Sequence, residues 1–193
     1  LRKGEVALHQ SFYDENGIDV IGIINAPGSA EAGDCFWLDD NTLAVGRGYR
    51  TNQAGIEQLK TILDDQNINV VQFDLPVYHG KEACLHLMSV VSLIAEKTAL
   101  VYAPLMPVAL YQLMEEMGFT LLEAPKDEFE NSGGLNLNVL ATAPMKVIAV
   151  DGFPKTHKLM RDAGCEVAVF AGDEICIPCE GGPTCMTRPI LRK

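Results

Sequence analysis

The chain has 193 residues, 48% of them hydrophobic, enough for one sizeable core and unlike the composition of a disordered segment. A net charge of −11 argues against a nucleic-acid backbone as partner, because phosphate binding needs clustered Lys and Arg. No apolar run reaches the roughly 18–20 residues of a membrane span and no signal peptide opens the chain, so no membrane partner is expected.

Hydrophobic periodicity predicts short strands alternating with amphipathic helices. Residues 5–16 read as a helix ended by Gly17, and residues 18–24, rich in Ile and Val, as a strand. Residues 34–38 and 42–45 form a strand pair with Asp40-Asn41 as the turn. Thr51 or Asn52 caps a helix to about residue 66, and residues 69–73 are the next strand. The order then recurs: strands 90–95 and 99–103, a helix from Pro107 to Gly118, and strand 119–123. After a polar loop over residues 127–135 comes a third copy, with strands 138–142 and 146–150, helix 154–163 and strand 166–170. Residues 184–191 read as the first strand of a further copy.

The unit is strand–strand–helix–strand, with a period of roughly 50 residues, which implies units packed around a common axis. No linker divides the chain, so residues 1–193 are read as a single α/β domain. The start at Leu1-Arg2-Lys3-Gly4 and the incomplete first unit lead to the expectation that part of the N-terminal side is missing.

Six cysteines raise the question of a disulfide scaffold. Cys35, Cys84 and Cys165 stand singly in apolar stretches, as buried thiols do, and a reducing cytoplasm is the expected compartment. Cys176-Ile177-Pro178-Cys179, with Cys185 after it, invites a zinc or redox reading. A structural zinc site wants four ligands and no second such pair appears, so no metal is expected; two incidental thiols remain the plainest account, with an inhibitory Cys176–Cys179 or Cys179–Cys185 disulfide as the redox alternative.

Cys185 lies just after a Gly-Gly-Pro turn, where backbone donors can surround it, and a thiolate is a strong nucleophile once its charge is stabilised. Alone it is more readily a buried core cysteine. His86, at a loop-to-strand junction, is a candidate base among four histidines, and the acidic turn at Glu31 supplies a third element; each signal is weak by itself. In order along the chain stand four motifs: Glu31-Ala32-Gly33-Asp34, Arg50-Thr51-Asn52-Gln53, Leu85-His86-Leu87-Met88-Ser89 and Gly181-Gly182-Pro183-Thr184-Cys185-Met186-Thr187. The stretch Asn138-Val139-Leu140 ahead of Val147-Ile148-Ala149 accompanies them. In these motifs, which span nearly the whole chain, the sequence resembles the pentein superfamily of guanidino-group-modifying enzymes: arginine deiminases, dimethylarginine dimethylaminohydrolases and amidinotransferases.

The resemblance implies a pentein-type α/β propeller, five ββαβ units around a pseudo-fivefold axis with the active site on it. It implies Cys185 as nucleophile, His86 as general acid and base, and Glu31 as the carboxylate that holds the guanidinium. Arg50 matches the clamp for the substrate α-carboxylate, a bidentate task that suits Arg. Glu180 falls where some members contact the substrate α-amine, and Asp34, grouped with these, is expected to tie its turn together. The implied substrate is a small guanidino compound, with no cofactor; a homo-oligomer and a complementing N-terminal segment or chain are the partners the resemblance allows. The implied reaction is hydrolysis of arginine or a methylated arginine to citrulline and an amine through a Cys thiouronium. An amidinotransferase with the same residues, or a non-catalytic binder on the same fold, is the alternative.

Two departures stand out. Members that cleave free arginine often carry an acid two residues after the histidine, where this sequence has Met88, a pattern nearer the dimethylarginine hydrolases. A further guanidinium-binding acid, which the family takes from an N-terminal segment, has no counterpart in the sequence.

Overall fold

The computed structural model describes residues 4–80, 85–187 and 189. In chain order the elements are α1 (Glu5–Glu15), β1 (Cys35–Asp39), β2 (Thr42–Arg47), α2 (Gln53–Asp64), β3 (Asn69–Asp74), β4 (Val91–Ala95), β5 (Thr98–Val101), α3 (Val108–Glu116) and β6 (Thr120–Glu123). They continue with α4 (Lys126–Ser132), β7 (Leu140–Ala143), β8 (Lys146–Val150), α5 (Pro154–Asp162) and β9 (Glu166–Phe170). Among the described residues the strands form three separate three-stranded sheets, β1-β2-β3, β4-β5-β6 and β7-β8-β9, and no closed barrel.

Each sheet is built alike. Two strands joined by a tight turn pair antiparallel, and the second pairs parallel with the third. A parallel pair cannot be joined by a tight turn, so a helix carries each crossover: α2, α3 and α5. The likeness reaches single bonds. The N–H that opens each third strand reaches a carbonyl of the hairpin turn: Asn69 to Asn41 at 2.7 Å, Thr120 to Lys97 at 2.8 Å and Glu166 to Met145 at 2.8 Å. The hairpin register slips at corresponding places, between Trp37 and Asp39, Leu93 and Ala95, and Ala141 and Ala143. The recurring unit read from the sequence is therefore a recurring unit of structure.

Local chemistry sets the helix ends. Asn52 caps α2, its Oδ1 accepting the Gly55 N–H at 2.8 Å, and Pro154 opens α5 where its missing N–H costs nothing. The main core gathers on the second sheet, where Ala99, Leu100 and Val101 of β5 are fully buried beneath Leu110 and Met114 of α3. Phe36 and Leu38 join it from the first sheet and Val147 and Ala149 from the third. Each large side chain so buried is worth about 1.5–3 kcal/mol. A smaller cluster, Leu43, Val45, Ile56, Leu63 and Val70, lies between α2 and the first sheet.

Three expectations are corrected. Residues 18–24 do not form a strand, and Val20, Ile21 and Ile23 are exposed. Each observed third strand lies beside a hairpin, whereas among the described residues this segment has no hairpin to pair with. The helix before it, α1, correspondingly has no buried residue. Residues 127–135 are not simply a polar loop: residues 126–132 are α4, which follows Pro125 and ends at Gly133 in the left-handed region (φ +60°). Its Phe129 is buried and stacks on Tyr102 at 3.6 Å, while Glu128 accepts the Lys155 and Thr156 N–H groups at the start of α5, both at 2.8 Å. Finally, Thr184, Cys185 and Met186 lie in turns instead of a strand, closed by the Cys185 N–H on the Gly182 carbonyl and the Thr187 hydroxyl on the Pro183 carbonyl. Arg188 and residues 190–191 of that expected strand lie outside the described residues, as does Cys84.

Candidate active site

Glu31, Arg50 and His86 come from three loops that meet where the first strands of two sheets begin. Glu31 precedes a 3-10 turn (Ala32–Asp34) leading into β1, and His86 precedes another (Leu87–Ser89) leading toward β4. Arg50 lies in the loop from β2 to α2. Glu31 takes the central place: Oε1 accepts from Arg50 Nε at 2.8 Å, and Oε2 lies 2.7 Å from His86 Nε2. An ionised carboxylate only accepts, so His86 presents its Nε2–H to it. Gly33 permits this closeness, since a Cβ there would stand 2.9 Å from His86 Cγ.

Asp34, three residues on, does a different job. It is 1% exposed, and both oxygens are engaged within the protein. Oδ2 accepts the Thr51 hydroxyl at 2.6 Å and Oδ1 accepts the Leu87 N–H at 3.0 Å. The same Thr51 oxygen accepts the Glu31 N–H at 3.0 Å. Asp34 and Thr51 thus pin together the three loops that carry Glu31, Arg50 and His86, and Ser89 Oγ accepts the His86 N–H at 3.2 Å.

The electrostatics of the two acids run opposite ways. Burial opposes ionisation of Glu31, but the His86 and Arg50 hydrogen bonds and charges outweigh it and hold its carboxyl below the usual range. For Asp34 burial wins over the Thr51 and Leu87 hydrogen bonds and raises the carboxyl above its ordinary value.

Cys185 belongs to a second cluster. It is exposed and its sulfur lies 2.9 Å from Asn138 Nδ2. Asn138 Oδ1 in turn accepts the Thr184 N–H at 2.9 Å. Glu180 is exposed and closes the preceding turn in the left-handed region (φ +51°), its N–H reaching the Ile177 carbonyl. Cys176 is fully buried beside this loop and Cys179 is exposed; both are thiols, as is Cys185. Burial pushes the Cys176 thiol up, with neighbouring Cys185 and Cys179 adding to the effect. Among the described residues no group of three or more His, Cys, Asp or Glu is placed to hold a metal ion. Nor is any described helix long and apolar enough to cross a membrane.

The structure therefore joins Glu31, Arg50, His86 and Asp34 in one network and places Cys185 and Glu180 on the tail loop. Two contributors went unremarked as functional in the sequence, Thr51 and Asn138. Both sat inside quoted motifs, which was the available signal. His157 is buried on the Val150 carbonyl at 3.0 Å and serves packing. Beside the network lies a cavity of about 520 Å³ lined by Arg47, Tyr49, Gln53, Asp74, Tyr78 and Leu85 among others. Arg47 and Asp74 there form a two-bonded ion pair, both distances 2.7 Å.

Comparison with known proteins bears on this arrangement. The family model described as arginine deiminase matches residues 6–114 and 106–192. The uncharacterised protein YkgA of Bacillus subtilis is 28% identical over 192 residues, covering 100% of this chain and 62% of its own length. The arginine deiminase of Mycobacterium tuberculosis H37Rv is 28% identical, with 84% of this chain and 46% of that protein covered. The chain thus spans between about half and three-fifths of the length of these relatives. Among solved structures, the product-bound N-terminal domain of ArgZ, an arginine dihydrolase of cyanobacteria, superposes with a TM-score of 0.76 at 20% identity, covering 99% of this chain and 68% of that one. That likeness speaks to the fold.

Proposed function

Because the chain belongs to the arginine deiminase family, we propose that it supplies the Cys–His–acid site of a hydrolase acting on the guanidino group of arginine or a methylated arginine. The observation that carries this reading is Glu31, whose carboxylate holds a guanidinium, that of Arg50, on one oxygen and the imidazole of His86 on the other. A carboxylate so placed fixes the plane of a substrate guanidinium beside a group able to move protons.

In the proposed sequence Cys185 thiolate attacks the guanidinium carbon, and the tetrahedral species collapses as His86 protonates the departing amine. Water activated by His86 then attacks the thiouronium carbon, the C–S bond breaks, and citrulline leaves with the thiolate restored. Proton transfer of this kind contributes about 10²–10⁴-fold. Arg50 takes the substrate α-carboxylate once released from Glu31, Glu180 meets the α-amine, and Asp34 keeps the three loops in register. The 520 Å³ cavity beside Tyr49 and Leu85 has room for the aliphatic part of the substrate.

Met88 favours an alkylated guanidine over free arginine. It packs against the main core, so the position two residues after His86 offers no acid to a second guanidinium nitrogen. The three ββαβ units are read as consecutive blades of a pentein-type propeller and the chain as its C-terminal majority, in a single domain. The test is turnover of arginine, dimethylarginine and agmatine by the native protein, with ureido product as readout. Dimethylarginine is expected to be preferred, and Cys185→Ser to lower kcat by more than about 10³-fold. Turnover that survives Cys185→Ser, or transfer of the amidine to an added amine in place of hydrolysis, would overturn the assignment.

A further inference from the structure

Asn138 makes contacts that the reaction above does not use. It follows the 3-10 turn Leu135–Leu137 and precedes β7, yet its side chain engages Thr184 and Cys185, far along the chain. Its Oδ1 accepts both the Thr184 N–H, at 2.9 Å, and the Thr184 hydroxyl, at 2.5 Å. A carboxamide oxygen held by a main-chain N–H cannot exchange places with its NH2 without setting donor against donor. The NH2 end is therefore fixed in direction, and it faces the Cys185 sulfur, Nδ2 to Sγ 2.9 Å. Gly182 makes room for the approach, because a Cβ there would stand 2.5 Å from Asn138 Cγ. The segment is braced from behind as well: the buried Ser92 hydroxyl on β4 donates to the Leu137 carbonyl at 2.6 Å.

An N–H aimed at sulfur favours thiolate over thiol, since hydrogen bonds to an ionised acceptor are the stronger ones. The geometry points to Asn138 as a positioning residue for the reaction: it fixes the Cys185 sulfur and stabilises its thiolate by a donated hydrogen bond. The inference rests on Cys185 being the nucleophile. It also assigns work to the Gly182-Pro183-Thr184 sequence, which shapes the loop around the Asn138 amide.

Asn138→Asp separates donor from clamp. It keeps an oxygen for Thr184 and the same shape, but sets a carboxylate oxygen where the N–H pointed at sulfur. The native protein, Asn138→Asp and Asn138→Ala are treated with iodoacetamide, and labelling of the Cys185 peptide is timed by mass spectrometry alongside steady-state turnover. Labelling at pH 7 is expected to be at least about tenfold slower in Asn138→Asp, for the loss of one charge-assisted hydrogen bond and the repulsion of a carboxylate set beside the sulfur. Its kcat should fall in proportion with KM unchanged, and both deficits should narrow as pH rises. Asn138→Ala, which removes the donor and the clamp on Thr184 without adding a charge, should also label more slowly than the native protein. Native rates of labelling and turnover in Asn138→Asp would overturn the inference and leave Asn138 a loop clamp only. Failure of the nucleophile assignment has a different signature, turnover that survives Cys185→Ser, and leaves the labelling comparison readable.

Discussion

Asp34 is 1% exposed and receives hydrogen bonds from two other loops, whereas Cys185 is exposed and its sulfur is met by one side chain, Asn138. The half of the candidate site that carries His86 and Glu31 is thus set by buried bonds continuous with the core. The other half is a loop carrying the thiol, its geometry resting on one amide and on a glycine that makes room for it. Damage to the first should register chiefly as lost stability, and damage to the second chiefly as lost reactivity.

Asp34→Ala should draw that line most sharply. It leaves the Thr51 hydroxyl and the Leu87 N–H without acceptors in a buried place, and an unfolding loss of about 2–4 kcal/mol is expected by urea denaturation. A loss below about 0.5 kcal/mol would mean that the three loops do not depend on this carboxylate. Gly182→Ala tests the other half. The added Cβ meets Asn138, so Cys185 labelling should slow several-fold, while the urea midpoint should change less than in Asp34→Ala, because Gly182, although buried, lies in a turn outside the three sheets and the Asn138 it meets is only half-buried. A large stability loss from this substitution would show the tail loop to be as integral as the Asp34 network.

Acid sharpens the contrast within the first half, with a smaller effect. The folded Glu31 carboxyl is held low, so its stabilisation is present above the unfolded carboxylate range and disappears as pH falls through the folded value. Asp34 runs the other way: burial raises its carboxyl, so its charge costs stability above that value, and protonation on acidification relieves the cost. Comparing urea midpoints from pH 7 to 3, Glu31→Gln should lose less stability on acidification than the native protein, by under about 1 kcal/mol since the pair is partly solvated. A steeper acid loss in the variant would contradict the pairing.

The strand–strand–helix–strand order was legible because alternation of apolar residues, helix caps and turn residues all agreed over residues 34–74, 90–123 and 140–170. Residues 18–24 carry the same β signal, but a strand also needs a neighbour, and side-chain pattern says nothing about whether one is present. The acids of residues 127–130 suggested a solvated loop, although Pro125 before them and Gly133 after them bound a helix whose Phe129 enters the core. In the site, Glu31, Arg50, His86 and Cys185 stood out only as an ordered set of motifs. Asn138 and Thr51 act through hydrogen bonds to residues distant in the chain, and a polar side chain's partner at such separation leaves no mark on local spacing.

The bond from Ser92 to the Leu137 carbonyl has a mechanical corollary. Ser92 lies on β4, the strand reached from His86 through the 3-10 turn, and Leu137 immediately precedes Asn138. The proposed proton carrier and the brace of the proposed nucleophile are therefore mounted on one beam, with β5 buried on its flank. When that strand shifts as a unit both mounts travel with it, and the spacing between them is preserved to first order, much as two instruments bolted to one bench keep their alignment while the bench moves.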